Sequence, residues 1–431
     1  MNRKFHSLIL LSLAMVLFLI ATPLFAGSDA PQQGKKKVIT FWHLDTDPKL
    51  SVIWQGMADE YMAAHPNVDV QITILENDAF KTKINTMMQS GNPPDIFRSW
   101  GGGVMNEYAE AGLLKEVSPA IKNEWVKSIG EGLLGLYSYK GKCYGVPYDM
   151  GAVGIWYNKD MFKAVGYETP PATFEQLIDC LKKLKAAGYT PVSLGEGEKW
   201  PGHFWWVYMA VRLGGKDAFD AAYSRKGAFT DPPFVKAGEL LLQLVDLDIF
   251  QPGFLGANYP EQAAIMGNGQ AAMELMGQWA PAVEAQYATN KTGIGADKLG
   301  FFPFPMIAGG KGKITDVMGG GNGYILGKNA SEEAMDFLNF IVNVENQKKL
   351  AEKGFSVPTI KGAEVAIQDP MMRLVQKMVS KATYYQLYYD QYLAPAVGEA
   401  VKDATQLLFA KTATPEEAAA MIEKAMKENS K

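Results

Sequence analysis

The residues of this sequence that could do chemistry are aromatic rings interleaved with polar side chains. The densest group lies in KWPGHFWWVYMAVRLGG, residues 199–215, which sets Trp200, Phe204, Trp205 and Trp206 around His203. Rings of this kind can fill a core, form a surface for nucleic acid or membrane, line an enzyme pocket, or stack on a ligand that is flat and apolar on one face. The motifs and elements around them decide between these uses.

The sequence lacks the phosphate-loop motif and two common motifs of covalent and metal-assisted catalysis. It contains no G-x-x-x-x-G-K-[ST], G-x-S-x-G or H-E-x-x-H. The glycines of GGGNG, residues 319–323, lack the lysine of a phosphate loop and favour a tight strand entry that lets a ligand or the other lobe approach. The histidines beyond the N-terminal segment, His43, His65 and His203, have no metal-ligand spacing. We therefore expect neither a cofactor nor a metal.

A catalytic pair of carboxylates is not indicated by the spacing. A glycosidase needs two carboxylates about 5 to 9.5 Å apart. Asp45, Asp149, Glu274 and Asp390 could converge in space, so a carbohydrate-active enzyme stays open as an alternative to a binding protein.

Length and composition describe a globular protein with more than one core. The chain has 431 residues, 48% of them apolar and 20% charged, and this length predicts two lobes of roughly 150 to 200 residues. Beyond residue 26 there are 40 basic and 46 acidic residues, a net charge of −6, which disfavours binding to a nucleic-acid backbone. Cys143 and Cys180 could form one disulfide, but a buried free thiol at Cys180 is at least as consistent with its helical pattern.

The N-terminus has the pattern of a cleaved signal peptide. Arg3 and Lys4 precede the apolar run LILLSLAMVLFLI, and TPLFA leads to a predicted cut after Ala26. The run is short for a membrane span of about 20 residues, and no cysteine follows it for lipid attachment. The sequence therefore predicts an exported protein.

Strands and helices alternate through the first part of the chain. VITFW, VDVQITIL and DIFRSW are typical of strands, and the segments between them have helical periodicity. This alternation predicts a parallel sheet with helices on its faces. The middle is richer in helix, with Thr173, Gln176 and Gly188 as capping signals, and a later strand-rich stretch suggests a return to the first lobe.

Several motifs in a fixed order resemble a known family. They are TFWHLDTD, NPPDIFRSWGG, YKGKCYGVPYDMGAVGIWYNKDMF, WPGHFWW, MGNGQAAMELMGQWAP and YYDQYLAPAVGEAV. The chain resembles the extracellular solute-binding proteins of sugar ABC importers, the group that includes maltose-binding protein, from about residue 38 to residue 431. The branch that binds raffinose-type oligosaccharides is the most similar.

The resemblance implies an α/β fold of two lobes, the periplasmic-binding-protein fold, with a ligand cleft between the lobes. After the signal peptide (residues 1–26) and a tail (residues 27–37), lobe 1 should comprise residues 38–149 and about 315–357. Lobe 2 should comprise residues 150–314 and about 358–431. The C-terminal helices should pack mainly on lobe 2.

The resemblance and the positions of predicted strand ends together imply a set of sugar-binding residues. A pyranose has an apolar face that suits a flat ring and a rim of hydroxyls that suits carboxylates, amides and imidazoles. Trp279 matches the ring that the family stacks on sugar, and His203 begins a helix from which its imidazole could reach the cleft. Trp205 is expected in the core. The predicted site residues are Asp45, Asn77, Trp100, Tyr148, Asp149, His203, Trp279, Asn322, Asp390 and Gln391.

The function implied is that of a monomeric periplasmic receptor. It would capture a mono- or oligosaccharide and deliver it to the membrane subunits of an ABC transporter, with no nucleic-acid partner and no catalytic residue. The alternatives are a secreted carbohydrate-active enzyme and the same fold binding another solute, such as a polyol, a phosphodiester or a peptide. The scarcity of basic residues in the motifs argues against anionic ligands.

The exported protein is expected to lack residues 1–26, because the apolar run is too short to span a membrane and leads to a cleavage pattern. Intact-mass spectrometry of the exported form checks this expectation. A mass that retains Met1 to Ala26 would contradict it.

Overall fold

The computed structural model describes residues 35–429. The predicted signal peptide, residues 1–26, lies outside this range, as does most of the predicted tail, residues 27–37. Within residues 35–429, no helix combines the length and apolar character that crossing a membrane would need.

The described chain alternates between strands and helices. The strands are β1 (Lys37–His43), β2 (Val68–Ile74), β3 (Ile96–Ser99), β4 (Ser138–Tyr139), β5 (Lys142–Cys143), β6 (Gly145–Met150), β7 (Gly154–Asn158), β8 (Thr190–Val192), β9 (Ala271–Met276), β10 (Leu299–Phe302), β11 (Asp316–Gly319), β12 (Gly321–Leu326) and β13 (Tyr384–Leu387). The helices are α1 (Pro48–Ala64), α2 (Asn77–Gln89), α3 (Gly102–Glu110), α4 (Pro119–Ser128), α5 (Glu131–Leu134), α6 (Lys159–Ala164), α7 (Phe174–Ala186), α8 (Trp200–Tyr223), α9 (Pro232–Asp246), α10 (Tyr259–Gly267), α11 (Ala280–Tyr287), α12 (Glu332–Ile341), α13 (Val344–Glu352), α14 (Pro370–Ser380), α15 (Tyr389–Tyr392), α16 (Pro395–Phe409) and α17 (Pro415–Asn429).

The first lobe is built on a five-stranded sheet with the order β2-β1-β3-β12-β6. β1 pairs in parallel with β2 and β3, as the alternation of strands and helices predicts. β12 lies between β3 and β6 and runs antiparallel to both, which makes the sheet mixed. β12 reaches this sheet from the second lobe, so it enters the sheet from the opposite end.

The second lobe has a four-stranded sheet with the order β10-β7-β9-β8. β7 runs antiparallel to β9 and β10, whereas β8 is parallel to β9. The last helices, α16 and α17, pack on α8 and α9 of this lobe.

Local capping signals place several helix ends where the sequence predicts them. The Thr173 side chain accepts a hydrogen bond from the N–H of Gln176, and the Gln176 side chain accepts one from the N–H of Thr173. The same reciprocal pair forms between Thr414 and Glu417 at the start of α17. Each pair satisfies donors that a helix N-terminus would otherwise leave unpaired.

Each lobe has one large hydrophobic core, and a smaller cluster that includes Phe80 and Phe97 also belongs to the first lobe. The chain leaves the first core after Tyr148 and enters the second at Ala152. The second crossing falls near residues 319–321, because β11 packs in the second core. Near the third crossing, Val357 packs in the second core, whereas Ile360 and Ala363 pack in the first.

Cys143 and Cys180 are buried free thiols. Burial raises the pKa of both thiols, and that of Cys180 reaches about 12. Both side chains therefore act as small apolar groups in the core.

Trp205, in α8, lies in the second core as expected. Its side chain is 0% exposed and packs edge-on against Phe250 and Phe304. The neighbouring Trp206 stacks on Phe234 and is 1% exposed. These two rings of the aromatic segment therefore serve the fold.

Trp205→Ala should lower the melting temperature of the ligand-free protein by several degrees. Truncation of a fully buried tryptophan leaves a cavity and typically costs about 3–5 kcal/mol of unfolding free energy. Differential scanning calorimetry against the parent protein measures the change. An unaltered melting temperature would contradict a core role for this ring.

Candidate functional site

A cavity of about 160 Å³ lies between the lobes and is lined by both of them. Its lining mixes aromatic rings with carboxylates, amides and two cationic side chains. Nine of the ten predicted site residues are in this lining. They are Asp45, Asn77, Trp100, Tyr148, Asp149, Trp279, Asn322, Asp390 and Gln391.

The first-lobe wall comes from the ends of three neighbouring strands. Asp45 follows β1, Asn77 follows β2 and Trp100 follows β3. Since β1 is parallel to both neighbours, the carboxyl ends of these strands meet at one edge of the sheet, where open α/β sheets place ligands. The strand order therefore explains why residues far apart in sequence share one wall.

Asp45 is held by side chains of its own lobe and does not cap the next helix. Its Oδ2 accepts a hydrogen bond from Trp54 Nε1 at 2.8 Å, and its Oδ1 lies 3.5 Å from Arg98 Nη1. Asp47 caps α1 instead, accepting from the N–H groups of Lys49 and Leu50. Asp45 is consequently oriented toward the cavity by partners that fix its carboxylate.

The second-lobe wall is a cluster of aromatic rings. Trp279 follows β9 and is half-buried, with its ring 6.4 Å from Trp200 and 6.3 Å from Tyr388 between centroids. The ring lies over Gly277, where a Cβ would come within 2.2 Å of it. Glycine at this position therefore gives the indole its place beside the cavity.

Lys81 is a cavity residue that the sequence analysis missed. Its Nζ lies 5.3 Å from the centroid of the Trp100 ring and 6.0 Å from that of Trp200, so it contacts one ring of each lobe. It also lies 4.0 Å from Asp390 Oδ2. The only signal in the sequence is its place one turn into a helix that follows a strand end, which many surface lysines share.

Tyr148 and Asp149 lie where the chain leaves the first lobe. The Tyr148 hydroxyl accepts a hydrogen bond from Arg98 Nη1 at 2.5 Å, and its ring stacks on Tyr324. The Asp149 carboxylate accepts from Asn322 Nδ2 at 2.7 Å. Burial raises the pKa of Asp149 to about 6, although its hydrogen bonds act in the opposite direction.

His203 is the one predicted site residue outside the cavity lining. Its imidazole is 0% exposed, with Nδ1 2.6 Å from the carbonyl oxygen of Trp200 and Nε2 3.6 Å from Asp390 Oδ1. Burial lowers its pKa to about 4, so the ring is neutral at pH 7. The imidazole therefore does not line the cavity as predicted, because the first turn of α8 directs it behind Asp390.

Direct contacts join the two lobes across the cavity. Gln286 Nε2 of α11 donates to Thr46 Oγ1 of the first lobe at 3.0 Å. At the other side, a Cβ on Gly103 of α3 would come within 2.1 Å of the carbonyl oxygen of Leu393. The structure therefore represents a closed arrangement of the lobes.

Four cavity-lining residues carry buried polar atoms without a hydrogen-bond partner within residues 35–429. They are Arg98 Nε, Tyr259 Oη, Gln278 Oε1 and Tyr388 Oη. A buried polar atom without a partner costs about 1–3 kcal/mol. A ligand with hydroxyl groups would supply both donors and acceptors for such atoms.

A protein-family comparison gives one match. Residues 47–348 match the model described as bacterial extracellular solute-binding protein. An uncharacterised ABC transporter extracellular-binding protein of Pyrococcus horikoshii is 26% identical over 418 residues, 94% of this chain and 90% of that protein. A multiple sugar-binding protein of Streptococcus mutans is 22% identical over 363 residues, 80% of this chain and 80% of that protein.

Solved structures with the same two-lobe fold are similar over most of the chain. One, from work on xylan utilisation by the thermophilic bacterium Caldanaerobius polysaccharolyticus, has a TM-score of 0.83 and 29% identity, and covers 90% of this chain and 99% of that chain. A chitin oligosaccharide binding protein also has a TM-score of 0.83, with 25% identity over 92% of this chain and 99% of that chain.

Proposed function

This chain belongs to the bacterial extracellular solute-binding protein family, and we propose that it is a receptor that captures an oligosaccharide between its lobes for an ABC importer. Its relatives and structural neighbours include proteins described as binding multiple sugars and chitin oligosaccharides. The proposed ligand of this chain is therefore a neutral sugar.

The observation that carries the proposal is the composition of the cavity between the lobes. Flat rings such as Trp279 and Trp100 stand beside carboxylates and amides such as Asp45 and Gln278. Rings match the C–H face of a pyranose and the polar groups match its hydroxyl rim.

Capture would work by lobe closure. A sugar that contacts both walls lowers the free energy of the closed form only. It therefore shifts an open population toward the closed one. Thr46 and Gln286 hydrogen-bond across the cleft mouth and add to this preference. The importer subunits would then recognise a surface that only the closed form presents.

The hydrogen bonds that the cavity carboxylates accept favour binding over catalysis. Asp45 accepts from Trp54, Asp390 accepts from Gln391, and Asp149 accepts from Asn322. Glu274 is fully buried and is not part of the cavity lining. These engagements support a ligand-orienting role, and none leaves a pair poised to cleave a glycosidic bond.

The site of action follows from the family and from the N-terminal pattern. We propose that the chain is exported through a cleaved signal peptide and acts outside the cytoplasmic membrane, in the periplasm, as a monomer. The family description as extracellular supports export.

Calorimetric titration with a panel of neutral mono- and oligosaccharides tests the proposal. A ligand at 100 times its dissociation constant should stabilise the protein by about 2.7 kcal/mol, and small-angle scattering should show compaction without a change in secondary structure. Release of reducing sugar during the titration would favour the enzyme alternative. Scattering curves that coincide with and without a saturating sugar would contradict capture by closure.

Trp279→Ala should abolish most of the sugar affinity and leave the melting temperature of the ligand-free protein nearly unchanged. The ring is half-buried beside the cavity, so its loss removes ligand contact more than core packing. Calorimetric titration and a thermal melt of the variant measure both effects, with Trp205→Ala as the core control. Unchanged affinity in Trp279→Ala would show that this ring is not the principal stacking residue.

Sugar affinity should fall as the pH rises through about 7. Burial, together with the charges of Asp78 and Glu76 on the facing lobe, raises the pKa of Glu198 to about 7 in the closed structure. Opening separates these carboxylates, which lowers the pKa of Glu198. The closed form therefore binds more protons than the open form, and the affinity gained by closure is lost as Glu198 ionises.

Titrations between pH 5.5 and 8 at constant ionic strength check this pH dependence. Glu198→Gln should flatten the profile, whereas Glu175→Gln, at an exposed position in α7, should leave it unchanged. A profile in Glu198→Gln as steep as that of the parent would show that another group is responsible.

A further inference from the structure

The three chain crossings between the lobes meet at one place. The N–H of Met150, in the first crossing, donates to the carbonyl oxygen of Val357, in the third, at 2.9 Å. The N–H of Val153 donates to the carbonyl oxygen of Met318, just before the second crossing, at 2.8 Å. Any rotation of one lobe relative to the other must bend the chain at this hydrogen-bonded junction.

The Asp149 carboxylate lies at this junction and accepts from three different segments. Oδ2 accepts from Asn322 Nδ2 at 2.7 Å and from Gln278 Nε2 at 2.5 Å, and Oδ1 accepts from the N–H of Val357 at 2.8 Å. Asn322 follows the second crossing, Val357 belongs to the third, and Gln278 belongs to the second-lobe loop after β9. One side chain therefore connects all three crossings and that loop.

This arrangement leaves little of the carboxylate for a ligand. An ionised carboxylate has about four acceptor positions, and three of those of Asp149 are occupied by protein donors. The side chain is 3% exposed. Hydrogen bonds to an ionised acceptor are the stronger kind, so the junction depends on this charge more than on any neutral contact nearby.

The junction also sets the position of the ring-bearing loop. Gln278 precedes Trp279 directly, and its amide fills the space beside Gly151, where a Cβ would lie 1.6 Å from Gln278 Oε1. The hydroxyl of Tyr385 donates to the carbonyl oxygen of the same Gly151. A change in the crossings therefore moves Gln278, and a move of Gln278 carries the Trp279 ring.

We propose that Asp149 is the positioning residue of the hinge: its carboxylate ties the three crossings together and couples them to the Trp279 loop, and it does not bind the sugar itself. The proposal rests on the proposed sugar capture, since it assigns Asp149 a part in that closure. It differs from the sequence-based prediction of Asp149 as a direct sugar ligand.

The test measures lobe geometry without any sugar, because a residue that only contacts the ligand cannot change that geometry. Spin labels on Val52→Cys, in α1, and Asp160→Cys, in α6, place one exposed reporter on each lobe. The native thiols, Cys143 and Cys180, are buried and remain unlabelled. Double electron–electron resonance then gives the distance distribution between the lobes in the ligand-free protein.

Asp149→Asn should broaden or shift this distribution, because an amide offers one acceptor oxygen and turns a donor toward the other donors. Its affinity for the best sugar of the panel should fall about 10-fold, within the range of coupled contacts. Asn322→Ala removes one donor only and should broaden the distribution less, so it keeps the test available if Asp149→Asn does not fold. Asp45→Asn, a cavity carboxylate bonded only within lobe 1, should leave the ligand-free distribution unchanged.

A ligand-free distribution in Asp149→Asn that matches the parent would overturn the proposal, whether or not sugar affinity is lost. Lost affinity with that unchanged distribution would make Asp149 a direct sugar contact. If no sugar of the panel alters the parent distribution, the proposed capture fails, while the ligand-free comparison still decides the role of Asp149 in the hinge.

Discussion

The passage of three chain segments between two hydrophobic cores is the constraint on which this structure depends. Each segment must leave one core and enter the other within a few residues, and none can be covered by a core of its own. Backbone polar groups there need partners, and the segments supply them to one another. Close approach requires the absence of side chains: a Cβ on Gly319 would lie 2.2 Å from the carbonyl oxygen of Gly151.

The cavity is a consequence of the same arrangement. The parallel strands of the first lobe end at the edge that faces the second lobe, and Trp279 follows a strand end of the second sheet. Each wall therefore combines a ring with polar side chains, Trp100 with Asp45 in the first lobe and Trp279 with Gln278 in the second. Each wall is rigid because its residues are anchored in a separate core, as Asp45 is by Trp54. The lobes can move as bodies without disturbing either wall.

The sequence predicted what depends on local chemistry. Caps such as Thr173 with Gln176, and the strands that precede Asp45 and Trp100, follow from a few neighbouring residues. It did not predict the antiparallel β12 in the first sheet, since strand direction there depends on a crossing from the other lobe. Lys81 was missed for a similar reason, because its role arises from rings on two lobes. Contacts between residues far apart in the chain produce no periodic pattern in the sequence.

The aromatic segment at the start of α8 shows why composition alone could not assign its rings. The helix is buried on all sides there, because one face meets the second core and another meets the cavity. Trp200 and Phe204 are four residues apart and so share the cavity face, whereas Trp205 and Trp206 turn into the core. His203 precedes Phe204 by one residue and lies about 100° away around the helix, which directs its imidazole behind Asp390. Helical phase, set by where the helix begins, thus decides which rings can meet a ligand.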